Sequence, residues 1–98
     1  MPWFIKRETF CRPFAEVSPH LQAHRAWVEQ LRQQGVSLCS GYLVDDQDQP
    51  GGGGLLLLEA ADYASAEALI RQDPMLISGS VDWSLHRWIS AVGELGVD

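Results

Sequence analysis

Four consecutive leucines, Leu55–Leu58, are the feature that most restricts how this sequence can fold. Successive side chains of a β-strand point to opposite faces of its sheet, so a strand of leucines presents apolar surface on both faces. The run is far too short to cross a membrane. It therefore predicts a strand, Leu55–Glu59, that is covered on both sides and follows a polar, glycine-rich turn over 45–54.

Three other segments have the residue types of β-strands. They are Trp3–Phe10, Val36–Val44 and Ser80–Ile89. Each is rich in aromatic or β-branched residues, which fit a pleated and partly buried surface. The sequence thus supplies four strands in all.

A helical pattern separates the first two strands. Ser18-Pro19 predicts its start, because serine can cap the first turn and proline suits the first helical position. Apolar residues then recur at steps of three and four, which is typical of one helix face. Gly35 is expected to end the helix in a left-handed conformation. The face comprises Val17, Leu21, His24, Val28 and Leu31.

A second helix is predicted between the third and fourth strands, and it completes the order of elements. Asp62 is expected to cap Tyr63–Gln72, and Asp73-Pro74 to stop it, since proline disfavours a helical residue before it. The order βαββαβ predicts one α+β domain over residues 1–98 with the ferredoxin-like fold, a four-stranded antiparallel sheet with two helices on one face. Residues 90–98 are expected to form a loose tail.

The other face of such a sheet has no helix to cover it. The leucine strand, together with Val81, Trp83 and Leu85 of the last strand, predicts that this face is apolar. A large apolar surface is rare on a soluble monomer. We therefore expect a homodimer formed through the sheet face.

Charge and motifs exclude several classes of function. The net charge of −6 argues against binding of nucleic acid or of anionic membranes. The absence of a signal-peptide pattern predicts a cytoplasmic location, with Cys11 and Cys39 as free thiols. Gly51–Gly54 lack the lysine of a phosphate-binding loop, and no glutamate follows His20 as in zinc proteases. We expect neither a cofactor nor a metal.

His24 is the most informative position of the first helix. It occupies the middle of an apolar face, where a buried polar group without a partner would cost about 1–3 kcal/mol. One interpretation is structural: a histidine bonded to a backbone carbonyl. The other is a general acid or base in a pocket between helix and sheet, because histidine titrates near neutral pH. Asp73, fixed before Pro74, is the candidate partner, although it could equally serve helix-end chemistry alone.

The order and spacing of several motifs resemble the YciI-like (YCII-related) family over about residues 3–88. The helical histidine is followed by a glycine that ends the helix and by a strand with its own glycine. Later come a glycine-leucine strand, an alanine-rich helix and an Asp-Pro pair. These motifs are Ala23-His24, Gly35, Leu38, Gly41, Gly53–Glu59, Ala66–Ala68, Asp73-Pro74 and Gly79.

The resemblance implies a dimeric α+β barrel with an active site at His24 and Asp73. The implied substrate pocket is formed by Ser40, Gly41, Tyr42, Pro74 and Met75. Family members often carry arginine three residues before the histidine and proline after the strand glycine. Here those positions hold Leu21 and Tyr42.

Two functions from different classes follow from these observations. The first is a cofactor-free enzyme in which His24 and Asp73 perform acid–base chemistry, an isomerisation or an elimination, on a small organic molecule. The alternative is a non-catalytic dimer that binds a small molecule or serves a structural role. A histidine that opens onto a cavity would favour catalysis or binding.

Overall fold

The computed structural model describes residues 1–93. The strands are β1 (Trp3–Phe10), β2 (Leu38–Val44), β3 (Pro50–Glu59) and β4 (Val81–Trp88), and the helices are α1 (Phe14–Gln33), α2 (Tyr63–Ile70) and α3 (Pro74–Ile77). Residues 90–93 form neither helix nor strand, and the rest of the expected tail, 94–98, lies outside the described residues.

The four strands form one antiparallel sheet in the order β2-β3-β1-β4. In this arrangement β1 and β3 are central, whereas β2 and β4 are the edges. The connection from β1 through α1 to β2 leaves space for β3 to insert between them, as the ferredoxin-like fold requires. The predicted fold class is thus confirmed, with a short third helix added before β4.

The main core lies between the helices and one face of the sheet. Strand side chains at alternate positions meet α1 and α2, which is the packing expected of a sheet with one helical layer. The buried members are Phe4, Trp27, Val28, Leu31, Leu56, Leu58, Ala60, Ala66, Ile70 and Leu85. A second cluster joins the start of α1 to α3 and β4 through Val17, Met75 and Val81.

The predicted start of α1 at Ser18-Pro19 is wrong, because the helix begins at Phe14. The amides of Glu16 and Val17 already bond to the carbonyl of Pro13. Proline inside a helix and the residue before it are both disfavoured on local grounds. The complete burial of Val17 outweighs that local preference. The other end agrees with the sequence, since Gly35 has φ +90°.

The expected glycine-rich turn is also wrong, because the glycines belong to β3. The turn is confined to 45–49, where the side chain of Asp45 accepts from the amides of Gln47 and Gln49. Gly53 pairs with Thr9 of β1 and with Leu43 of β2. A Cβ atom on Gly53 would lie 2.8 Å from the backbone oxygen of Glu8. Glycine is present here because two backbones approach closely.

The second helix ends two residues earlier than expected, at Ile70. Asp62 caps it as predicted and accepts from the amide of Ser65 at 2.7 Å. Asp73-Pro74 follows the end of this helix and begins α3, because proline is well suited to a first helical turn. The chain therefore reverses through two short helices instead of a single turn.

Pairing in the sheet corrects the faces assigned to β4. Leu56 and Leu85 are both paired with Lys6, so all three lie on the helical side. By the same register, Val81 and Trp83 also face the helices and not the open face. The apolar residues of the open face are Trp3, Ile5, Leu43, Leu55, Leu57 and Trp88.

Replacing Gly53 with alanine is expected to lower the free energy of unfolding by about 1–3 kcal/mol, because the added methyl group would push β3 away from β1. Urea titration of the purified variant measures this loss. Gly51→Ala is the matched control: its Cβ atom would meet only the Leu43 oxygen at 3.6 Å, an ordinary contact. Equal midpoints for the two variants would contradict the close-approach explanation.

Candidate acid–base site

Helix α1 holds His24 in its sheet-facing stripe, one turn from Leu21 and one from Val28. The side chain is only 12% exposed. The ring of Trp27 packs beside it, with the two ring centroids 5.8 Å apart. These neighbours leave one edge of the imidazole facing a cavity.

The second site residue, Asp73, occupies the junction of α2 and α3. Its side chain is completely buried. One oxygen, Oδ1, accepts from the backbone amide of Met75 at 2.9 Å and so caps α3. Because Pro74 fixes the backbone that follows, the carboxylate is held in a single place.

The structure brings His24 and Asp73 together. His24 Nδ1 lies 2.9 Å from Asp73 Oδ1. An ionised carboxylate can only accept, so Nδ1 carries the proton and donates it. In the neutral ring Nε2 is then the acceptor, and it lies 3.0 Å from the Ser40 hydroxyl. The nitrogen that can take up a proton therefore faces Ser40 and the cavity.

Two charged residues of β1 complete the site, and neither was identified from the sequence. Lys6 Nζ donates to Asp73 Oδ2 at 2.8 Å and also to Glu8 Oε1. The Lys6 side chain is 1% exposed and that of Glu8 8%. The signal that could have found them is positional: both share a strand face with Phe4 and Phe10, which the core should occupy.

The buried charges set the state of the aspartate. Burial by itself raises the pKa of Asp73, but hydrogen bonds from His24 and Lys6 and the positive charge of Lys6 together lower that pKa below its ordinary value. Asp73 and Glu8 contribute two negative charges against the single charge of Lys6. The cluster therefore has one positive charge too few while His24 is neutral, and it is balanced when His24 takes up a proton.

A cavity of about 470 Å³ opens between α1 and the sheet. Such a volume is within the range of small-molecule sites, roughly 300–1,000 Å³. Of the sequence-predicted pocket residues, Ser40, Gly41 and Tyr42 line it together with His24. Pro74 and Met75 do not line it. Met75 is fully buried and contributes only its backbone amide to Asp73.

Within residues 1–93, no three histidine, cysteine, aspartate or glutamate side chains converge in a way that could hold a metal ion. The same residues include no helix long and apolar enough to cross a membrane.

The fold gives the class of protein, and the sequence pattern gives its family. The chain is an α+β protein of the ferredoxin-like type, with a histidine, an aspartate and a cavity between its first helix and its sheet. It belongs to the YCII-related domain family, whose pattern matches residues 4–88. No curated protein matches the chain.

Solved structures with this fold differ widely in what they do. One is 5-chloro-2-hydroxyhydroquinone dehydrochlorinase from Burkholderia phenoliruptrix AC1100, in complex with 2,5-dihydroxybenzoquinone (22% identity, 89% of this chain and 93% of that chain, TM-score 0.68). Another is a dimeric ferredoxin-like protein from an uncultured marine organism (14%, 96% and 100%, 0.57). A third is an antibiotic biosynthesis monooxygenase (21%, 92% and 99%, 0.59). At these identities the likeness concerns the fold.

Asp73→Asn is expected to lower the free energy of unfolding by about 3 kcal/mol at neutral pH, because it removes one partner of a buried ion pair. The pKa of Asp73 is lowered by folding, so its stabilising effect is fully present above the unfolded value near pH 4 and is lost as pH falls through the folded value. The difference between wild type and variant should therefore shrink below about pH 4.

Urea unfolding at neutral and acid pH measures this difference. Asp46→Asn is the matched control, because Asp46 lies exposed in the turn between β2 and β3. A constant difference between wild type and Asp73→Asn across the pH range would contradict an ionised, paired Asp73.

Proposed function

We propose that the protein is a cofactor-free enzyme that performs acid–base chemistry, an isomerisation or an elimination, on a small organic molecule. The observation that carries this proposal is the chain of contacts from Asp73 through His24 to the cavity, with distances of 2.9 and 3.0 Å. A general base must lie within hydrogen-bond reach of the proton it removes. His24 Nε2 is the group that meets this requirement here.

In the proposed reaction, a ligand takes the place of the Ser40 hydroxyl next to His24 Nε2. The released hydroxyl can then donate a hydrogen bond to the ligand. His24 then removes a proton from a carbon of the substrate. In an elimination the C–H electron pair forms a double bond, and the leaving group departs with its own electron pair. In an isomerisation the same proton is returned to another atom. Asp73 holds the ring in the productive tautomer throughout.

The charges around the ring support this direction of proton flow. Lys6 is shared between Asp73 and Glu8, so the buried cluster has an excess negative charge while His24 is neutral. Protonation of His24 removes that excess. In a buried site with little water, such a balance stabilises the imidazolium that forms during the reaction.

The named activity of one structural neighbour gives the proposal a concrete form. That protein is a dehydrochlorinase, which by name carries out an elimination, and its structure contains 2,5-dihydroxybenzoquinone. The shared fold makes a related proton removal from a small cyclic compound the first reaction to test for this chain.

His24→Gln is expected to lower the reaction rate at least roughly 100-fold, the usual contribution of a general base. The assay incubates the protein with a panel of small halogenated, hydroxylated and carbonyl-containing ring compounds in D2O and follows deuterium uptake and loss of leaving group by NMR. His20→Gln is the matched control, since His20 lies on the same helix and does not line the cavity.

Binding of panel compounds without any turnover by the wild type would favour the alternative, a non-catalytic binding module. Equal turnover by wild type and His24→Gln would remove His24 from the catalytic role.

We further propose that two copies associate through the open face of the sheet as a homodimer. The motive is the apolar patch of Ile5, Leu55 and Leu57 at the centre of that face, where no helix packs in the described residues. Burying one such side chain is worth about 1.5–3 kcal/mol. The dimeric ferredoxin-like neighbour supports dimerisation. Pairing of two open faces would form an α+β barrel.

We also propose a cytoplasmic location, because the free thiols of Cys11 and Cys39 suit a reducing compartment.

Leu57→Lys is expected to convert this dimer into a monomer, because a charge would be buried in the apolar interface. Light scattering at micromolar concentration measures the mass. Gln30→Lys adds the same charge on the exposed side of α1 and should leave the dimer intact. A monomeric wild type would rule out the proposed assembly.

A further inference from the structure

We propose that Glu8 is a specificity-determining residue that binds a neutral hydrogen-bond donor of the ligand, a hydroxyl group on a largely apolar small molecule. The inference deepens the proposed function, since it uses the same cavity as the ligand site. It does not depend on turnover, because it concerns only which compounds are held.

The first support is an open acceptor on a buried side chain. Glu8 lies on the central strand β1, lines the cavity and is only 8% exposed. Its Oε1 is bonded by Lys6, whereas its Oε2 has no hydrogen-bond partner within the described residues. The only fully shielded side-chain polar atom without a partner in that part of the chain is Trp27 Nε1. Glu8 Oε2 is therefore accessible, and the cavity is the space it reaches.

The second support is the space that β3 leaves beside this oxygen. Gly54 is paired with Glu8 and has no side chain. A Cβ atom on Gly54 would lie 3.5 Å from Glu8 Cγ and 3.6 Å from Cδ. Any residue larger than glycine would begin to fill the volume next to the carboxylate. Glycine keeps that volume available to a ligand.

The remaining walls define the rest of the ligand. The polar groups His24 and Ser40 line the same cavity as Glu8, so a bound molecule can meet two polar anchors. The rest of the lining combines apolar side chains, which suit a ring or short chain, with the exposed polar residues Arg25, Glu29 and Tyr42. The apolar side chains of the lining are Phe10, Leu21, Val28 and Leu56.

Charge selects a donor over an anion. Lys6 cannot balance both Glu8 and Asp73, so the wall beside Oε2 keeps negative character. An ionised carboxylate accepts hydrogen bonds strongly and repels another anion, and both effects increase away from water. Arg25 also lines the cavity, but it is exposed, where solvent and salt screen its charge. The expected ligand is therefore a hydroxylated neutral compound.

Three probes of similar size test this selection in the wild-type protein. Phenol has a ring and a donor, anisole has the ring without a donor, and benzoate replaces the donor with an anion. NMR titration of the ¹⁵N-labelled protein should give phenol an affinity at least roughly tenfold above anisole, since hydrogen bonds to charged groups are the strong ones. Benzoate should bind more weakly than phenol. Equal affinities for phenol and anisole, stronger binding of benzoate, or no perturbation at the cavity by phenol would overturn the proposal.

Glu8→Gln then attributes the selection to one side chain. The preference for phenol over anisole should fall several-fold, and benzoate should gain affinity, because the negative charge is gone while the shape is kept. Glu16→Gln removes an equal charge from the exposed start of α1 and should change neither ratio. Should Glu8→Gln fail to fold, ¹³C NMR of the wild-type side-chain carboxylates decides the matter: phenol should shift the Glu8 carboxylate resonance and anisole should not, and an unshifted Glu8 carboxylate would overturn the proposal. Donor selection without turnover would reject only the proposed reaction, and turnover without donor selection would reject only the role of Glu8.

Discussion

The ammonium group of Lys6, held between two carboxylates inside the protein, is the interaction on which the rest of the structure depends. It joins the central strand to the junction of α2 and α3, which are distant in sequence. Asp73 in turn joins α1 through His24 and begins α3 through the amide of Met75. One ion cluster thus links three helices to the sheet.

Such a cluster is a costly way to hold a fold together. Removing charges from water costs several kcal/mol per ion, and apolar residues of similar size would often be at least as stabilising. The cost is acceptable only where hydrogen bonds satisfy the buried groups, and here both Asp73 oxygens have partners. A chemical role for His24 would explain why ions occupy this place. The same few atoms would then serve both the reaction and the stability of the fold, so a substitution that removes one of them would lower both.

Pattern and order of elements were sufficient to predict the fold, and the family resemblance pointed to the pair that the structure brings together. Periodicity identified the sheet-facing stripe of α1, and the proline after Asp73 identified a fixed aspartate. What could not be read locally was decided by packing. Burial of Val17 lets α1 begin at Phe14, before Ser18 and Pro19, where local preference would start it. Register in the sheet, which depends on partner strands, placed Val81, Trp83 and Leu85 on the helical side. Lys6 was missed because its partner Asp73 lies 67 residues further along the chain. Glu8 was missed because it joins the site only through Lys6.

Gly54 determines how much room the cavity has above Glu8. Part of the cavity floor is bare backbone, so the room above it is set by what is missing from a single position. A methyl group there would press on the Gly41 carbonyl at 3.1 Å and shorten the space over Glu8. Because Gly41 follows Ser40 in β2, a substitution at position 54 would change both the room for a ligand and the hydroxyl that contacts His24. The width of the cavity and the position of the reactive groups are therefore set together by two neighbouring strands.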